Sequence, residues 1–204
     1  VEYFGVAYID EGVDLRKSGI ETPIMVMNIG NAQFSLFNKW KLEPVIHSLT
    51  TLDRCISWAS KENIVLNIHL EFDTGMHRLG FELSQSHAVA LKLGKNKNIK
   101  VKSVFSHLVA SSNSKMDAFT QSQIKQFDEV VHVFKAELEY DFDTHILNSS
   151  GVERFPLGTH SMVKDPISYP KIILLKLPFN FFVLLKSCTS FRILLFISIG
   201  INLR

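Results

Sequence analysis

Residues 71–81, EFDTGMHRLGF, concentrate the chemistry of this chain. An acid (Asp73), a tight turn (Thr74-Gly75-Met76) and two basic groups (His77, Arg78) follow directly on the mostly apolar run 64–70. Such a cluster just past an apolar strand lies where α/β folds place their chemistry. The same residues also read as an Asx-turn, with glycine where φ must be positive. Two more polar groups sit in the same setting. Ser106-His107 closes the apolar stretch 101–108, and Asn148-Ser149-Ser150 closes 143–149. His107 is either a working or a hydrogen-bonded structural histidine. Asn148 to Gly151 is either a helix N-cap or a cradle for phosphate, since N–H groups and hydroxyls at a helix start favour anions. The chain has no G-x-G-x-x-G, P-loop or G-x-S-x-G, and its eight histidines show no metal-ligand spacing, so no metal is expected.

Elements must carry these groups to one place. Strand-like runs fall at 3–8, 23–28, 43–48, 64–72, 101–108 and 143–149. Helical runs fall at 10–17, 34–40, 51–63, 82–95 and 117–138, the last with a solvated charged face. Strand and helix alternate about six times, and the strands are nearly continuous in apolar residues. That predicts a parallel sheet covered by helices. A (β/α)₈ barrel missing an end or two competes with a doubly wound sheet. In both, chemistry sits past the C-terminal ends of the strands, which is where all three polar groups fall.

Bulk composition agrees. With 204 residues, 46% of them hydrophobic and 21% charged, the chain suits one globular domain. A net charge of +2 gives no reason to expect nucleic acid or a membrane surface as partner. Two unrelated cysteines, and a start (VEYFGVAYIDEG) unlike a signal peptide, point to a reducing, cytoplasmic setting. The charge is uneven. Residues 166–204 carry five basic residues and no acid, net +5, which leaves residues 1–165 at net −3. This tail is dense in Ile, Leu and Phe, and its uncharged runs (177–185, 193–203) fall short of the ~20 residues that span a bilayer.

In order along the chain, VAYIDEGVDLRKSGI, PIMVMN, LEPVIHS, DTGMHRLGF, SVFSHLVASS, DAFTQSQIKQF and HILNSSGVERFP closely resemble alanine racemase. That family uses pyridoxal 5'-phosphate and has an N-terminal (β/α)₈ barrel. The likeness is greatest to the racemase half of fused peptidoglycan ligase–racemase proteins of some bacteria, and it covers about residues 1–163. The resemblance implies a partial TIM-type barrel, of the α/β class, lacking the first strand, the barrel end and the C-terminal β domain. Such a barrel would leave open edges. The implied activity is interconversion of L- and D-alanine for peptidoglycan, with the intact enzyme a homodimer.

Residue by residue, the resemblance puts Arg78 at the cofactor's phenolate oxygen and the substrate carboxylate. It puts His107 against the pyridine ring, and Asn148 and Ser149 at the cofactor's phosphate end. Where the family often has a carbamylated lysine steering the arginine, this chain has Glu71, a carboxylate of the same charge. Asp73 and Gly75 shape the turn, and His77 is peripheral. The family's catalytic groups are a cofactor-linking lysine, in a K-A-D-A-Y-G-H-G type motif, and a tyrosine from the C-terminal domain. Neither is found in residues 1–204, so the chain is expected to be inactive alone. At 164 the family has an arginine and then G-I-x-L-Y-G, whereas this chain has Lys164 and then the apolar basic tail. Residues 164–204 therefore read as out-of-frame sequence. The alternative is a non-catalytic barrel module that binds the cofactor or another protein.

Overall fold

The computed structural model describes residues 3–155 in full and, as backbone, residues 162–164, 173–177, 181–185 and 192–197. Six parallel strands alternate with helices. They run β1 (Tyr3–Val6), α1 (Ile9–Lys17), β2 (Ile24–Val26), α2 (Phe34–Trp40), β3 (Glu43–Ile46), α3 (Leu49–Glu62), β4 (Leu66–Glu71), α4 (Ser86–Gly94), β5 (Ile99–Phe105), α5 (Asp117–Glu137), β6 (Asp143–His145) and α6 (Ser149–Arg154). Each strand pairs in parallel with the next, and the sheet curls into a partial TIM-type barrel. The expected barrel is therefore the architecture found. Strands β1, β2 and β3 are buried at every position, as a sheet covered on both faces requires.

The same chain order builds the covering layer. In α3, Leu52, Cys55 and Ala59 form a buried stripe at helical spacing. Ser48 starts this helix by accepting the Thr51 N–H (3.3 Å), and Asn63 ends it in the left-handed region at φ 53°. In α5 the stripe is Thr120, Gln123, Phe127, Val130, Val131 and Phe134, while Asp128, Glu129 and Lys135 face solvent. Arg16 clips the barrel floor together by donating to the carbonyls of Ile20, Thr22, Trp40 and Lys41. A second, smaller core of Tyr3, Met25, Val45 and Phe105 fills the inside of the barrel.

The elements differ from the sequence expectation mainly at the strand ends. β6 stops at His145, not 149, because the Asn148 side chain accepts the Gly151 N–H (3.0 Å) and starts a helix. β5 stops at Phe105, so Ser106 and His107 belong to a loop. The expected helix at 82–95 opens with a 3₁₀ turn, Leu83–Gln85, and is α-helical only from Ser86. The edge of β1 is not open. β10 (Arg192–Ile197) lies parallel along it, Tyr3 opposite Leu194, and β7 (Met162–Lys164) flanks β10. β8 (Ile173–Leu177) and β9 (Phe181–Leu185) pair antiparallel. An apolar strand satisfies the N–H and C=O row that β1 would otherwise present to water. Among the described residues no helix is long and apolar enough to cross a membrane.

Phe134 ties α5 to the sheet through edge contacts with Phe72 (5.6 Å) and Phe142 (6.3 Å). Phe134→Ala is expected to lower unfolding free energy by about 3–5 kcal/mol, the range for emptying a buried phenylalanine site. Urea unfolding followed by circular dichroism measures it, and a loss under about 1 kcal/mol would mean the site collapses around the gap.

Candidate functional site

The loop after β4 is pinned at its base. Phe81 N–H donates to Glu71 O (2.8 Å) and Asp73 N–H to Phe81 O (2.9 Å). Gly80 makes this closure possible: at φ +123°, a Cβ there would lie 2.5 Å from Asp73 N. Inside the loop Asp73 Oδ1 accepts the N–H groups of Gly75 (2.8 Å), Met76 (2.8 Å) and His77 (3.1 Å). Its other oxygen lies 3.2 Å from His77 Nδ1. The turn reading thus holds. The Asx-type turn lifts His77 (φ 54°) and Arg78 into solvent.

Burial alone would raise the Asp73 pKa. The three backbone donors and the nearby His77 outweigh it and hold the carboxyl below its ordinary range.

Two further loops join this one through buried side-chain bonds. Thr74 Oγ1 and Ser106 Oγ lie 2.8 Å apart, linking the loops after β4 and β5. Gln123 of α5 is fully buried. Its Nε2 donates to Thr74 Oγ1 (3.4 Å) and His107 O (3.3 Å), and its Oε1 accepts the Val109 N–H (3.2 Å). Asn148 ties the loop after β6 to the loop after β5. It accepts from Ser111 Oγ (2.7 Å) and donates to Leu108 O (3.2 Å). Arg154 reaches from α6 to Ser111 O and to both oxygens of Asp117 (2.7 and 2.9 Å). The loops that carry the three polar groups of the sequence are therefore tied together at one end of the sheet, the mouth of the partial barrel.

Individually they differ. Arg78 is exposed, and no hydrogen bond or ion pair among the described residues joins it to Glu71, which is buried at the end of β4. His107 and Ser149 are half-buried. Asn148 spends both side-chain atoms on protein partners, which is the N-cap reading. Sequence reasoning missed Gln123 and Ser111, and read Thr74 only as part of the turn. Gln123 was findable, as a polar residue inside the apolar stripe of α5.

It also missed a polar chain inside the barrel. Glu43 Oε2 accepts from Tyr3 Oη (2.6 Å) and meets His69 Nε2 (2.9 Å), while Oε1 accepts from Asn67 Nδ2 (2.9 Å). His69 Nδ1 lies 2.7 Å from Ser103 Oγ, which lies 3.3 Å from His145 Nε2. Burial would raise the Glu43 pKa; bonds to His69, the charge of that ring, Tyr3 and Asn67 outweigh it and bring it to about 2. Cys55 is the opposite case, a thiol pushed up to about 12 by burial and so unsuited as a nucleophile.

Because the folded pKa of Asp73 is depressed, its contribution to stability is present above the unfolded value and lost as pH falls through the folded one. Asp73→Asn is expected to be less stable than the unchanged chain above about pH 4, with the gap closing in acid below the ordinary aspartate pKa of ~3.9. Thermal melts across a pH series test this, and a gap independent of pH would show that the charge plays no part.

A family model described as the N-terminal domain of alanine racemase matches residues 1–164. The alanine racemase of Fusobacterium nucleatum is 34% identical over 158 residues, 76% of this chain and 42% of that protein. Alanine racemase 1 of Clostridium acetobutylicum is 33% identical over 165 residues, 79% of this chain and 42% of that protein. The solved alanine racemase of Clostridium difficile 630 matches with a TM-score of 0.75 and 25% identity, over 84% of this chain and 49% of that one. The Bartonella henselae alanine racemase, solved with covalently bound pyridoxal phosphate, is alike in fold (TM-score 0.69, 20% identity, 80% of this chain and 45% of that one). The chain thus spans under half the length of the curated relatives it matches. On the family match and these identities, the chain belongs to the alanine racemase N-terminal domain family.

Proposed function

We propose that this chain is the barrel portion of an alanine racemase, a pyridoxal-phosphate isomerase that interconverts L- and D-alanine for peptidoglycan. The observation that carries this reading is the mouth itself. The turn bearing Arg78, the loop bearing His107 and the helix start bearing Ser149 are tied into one unit by Thr74, Ser106, Gln123 and Asn148. This donor set fits a flat, anionic cofactor. Arg78 offers an exposed guanidinium for a ring oxygen or a substrate carboxylate. His107 offers an imidazole at the mouth, and Ser149 a hydroxyl at the phosphate end. Asn148 holds the phosphate-end loop in shape through Ser111 and Leu108. Asp73 fixes the turn, and Glu71 supports the mouth from the buried end of β4.

When bound, the cofactor supplies an electron sink for the charge left at Cα after proton removal. The proton itself needs bases, and residues 1–204 contain neither the family's lysine motif nor its tyrosine domain. As a 204-residue chain it is therefore read as a binding half, inactive alone. The intact enzyme would be a homodimer, on the ligase-fused plan. The family match ends at residue 164, and the tail that follows reads best as an out-of-frame continuation.

Pyridoxal phosphate titrated against the purified chain should bind and be released by dialysis. Arg78→Ala should weaken it roughly 10- to 100-fold, as loss of a charge-assisted contact worth ~1.5–3 kcal/mol implies. Unchanged affinity would remove Arg78 from the site. Racemisation of alanine above a heat-killed control would contradict the reading of an inactive half.

A further inference from the structure

The chain of polar groups inside the barrel shares no residue with the mouth described above, and its chemistry is more constrained than a packing role requires. Three donors from two strands, Tyr3 of β1 and Asn67 and His69 of β4, converge on Glu43. A carboxylate surrounded in this way accepts only. The Tyr3 ring stands edge-on to the His69 ring (5.4 Å, 88°) and holds its plane. Ser103 reaches His69 because the β4–β5 ladder slips by one residue. Ile68 stands opposite Val101, but His69 stands opposite Ser103, so Lys102 is passed over. An unbroken ladder would have put Lys102 beside the buried histidine.

At a pH high enough that neither ring carries a charge, the proton positions follow one from another. The Glu43 carboxylate must accept a hydrogen bond from His69 Nε2–H. That leaves His69 Nδ1 an acceptor, so the Ser103 hydroxyl donates to it (2.7 Å). The lone pairs left on Ser103 Oγ take the N–H of His145 Nε2 (3.3 Å). We infer that Glu43, His69, Ser103 and His145 form a one-way hydrogen-bond relay that fixes the neutral His145 ring in its Nε2–H form, with Ser103 as the positioning residue. Nδ1 of His145 is thereby committed to accepting.

The relay reaches the mouth through packing. The His145 ring stacks on Phe105 (4.6 Å, 8° between planes), the residue just before Ser106 and His107. The His145 carbonyl accepts the Ser106 N–H (3.1 Å). A ring fixed from below therefore supports the loop that carries His107.

The test is long-range ¹H–¹⁵N NMR of the histidine rings in the full 204-residue chain, made near pH 9, above the ordinary imidazole pKa of ~6.5. Signals are assigned through couplings along the side chains. Both His69 and His145 should show protonated Nε2 and bare Nδ1. In Ser103→Ala, His69 should keep that pattern, held by Glu43, while the His145 Nε2–H signal shifts as its bond to Ser103 Oγ is lost; Ser103→Thr should keep that signal in place. A protonated Nδ1 on His145 in the unchanged chain overturns the relay, even if Ser103→Ala fails to fold. So does an unmoved His145 Nε2–H signal in Ser103→Ala. The readout is ring protons alone, so its failure leaves the racemase reading standing.

Discussion

The buried amide of Gln123 is the interaction on which the mouth depends. It sits in the apolar stripe of α5 and has a partner for each end, Thr74 and the His107 carbonyl on one side and the Val109 N–H on the other. A buried amide without partners costs on the order of 1–3 kcal/mol, so the loops after β4 and β5 are held to α5 together rather than separately. The Thr74–Ser106 contact and the Asn148 ties extend that constraint to the loop after β6. The loops that carry Arg78, His107 and Ser149 are thereby tied to one another.

Below the mouth the barrel uses the same physics differently. Glu43, His69 and Ser103 are polar and almost fully buried, yet each is bonded, and Tyr3, Met25, Val45 and Phe105 pack around them. The one-residue slip at Lys102 serves this layer, turning a lysine out and a serine in. Barrel interior and mouth are then continuous through Phe105 and His145.

Much of this was legible in the sequence, and the reasons are local. The strand–helix alternation reads directly from apolar runs, so the six strands and five of the helices fall close to their expected places. The turn at 73–78 was legible because Asp-Thr-Gly has few backbone solutions, and Asp73 adopts one of them. The strand ends were less legible. Ser106-His107 and Asn148-Ser149 follow apolar residues without a break, so where the ladder stops depends on a cap and on a neighbour's carbonyl. The interior relay was illegible for a different reason. Glu43, His69, Ser103 and His145 lie far apart in the chain and meet only through strand register, which here includes a slip that no periodicity announces. The cover on β1 could not be read either, because the tail shows no strand alternation; β10 pairs through its backbone.

The account rests on the mouth being one mechanical unit. Amide hydrogen exchange of the unchanged chain and of Gln123→Met, compared residue by residue, tests that most directly. The account predicts that the amides of Gly75, Met76 and His77 and that of Val109 all speed up together, while those of α3 stay as they were. Faster exchange at Val109 alone, with the Asp73 turn unaffected, would show that the loops are held independently and would contradict it.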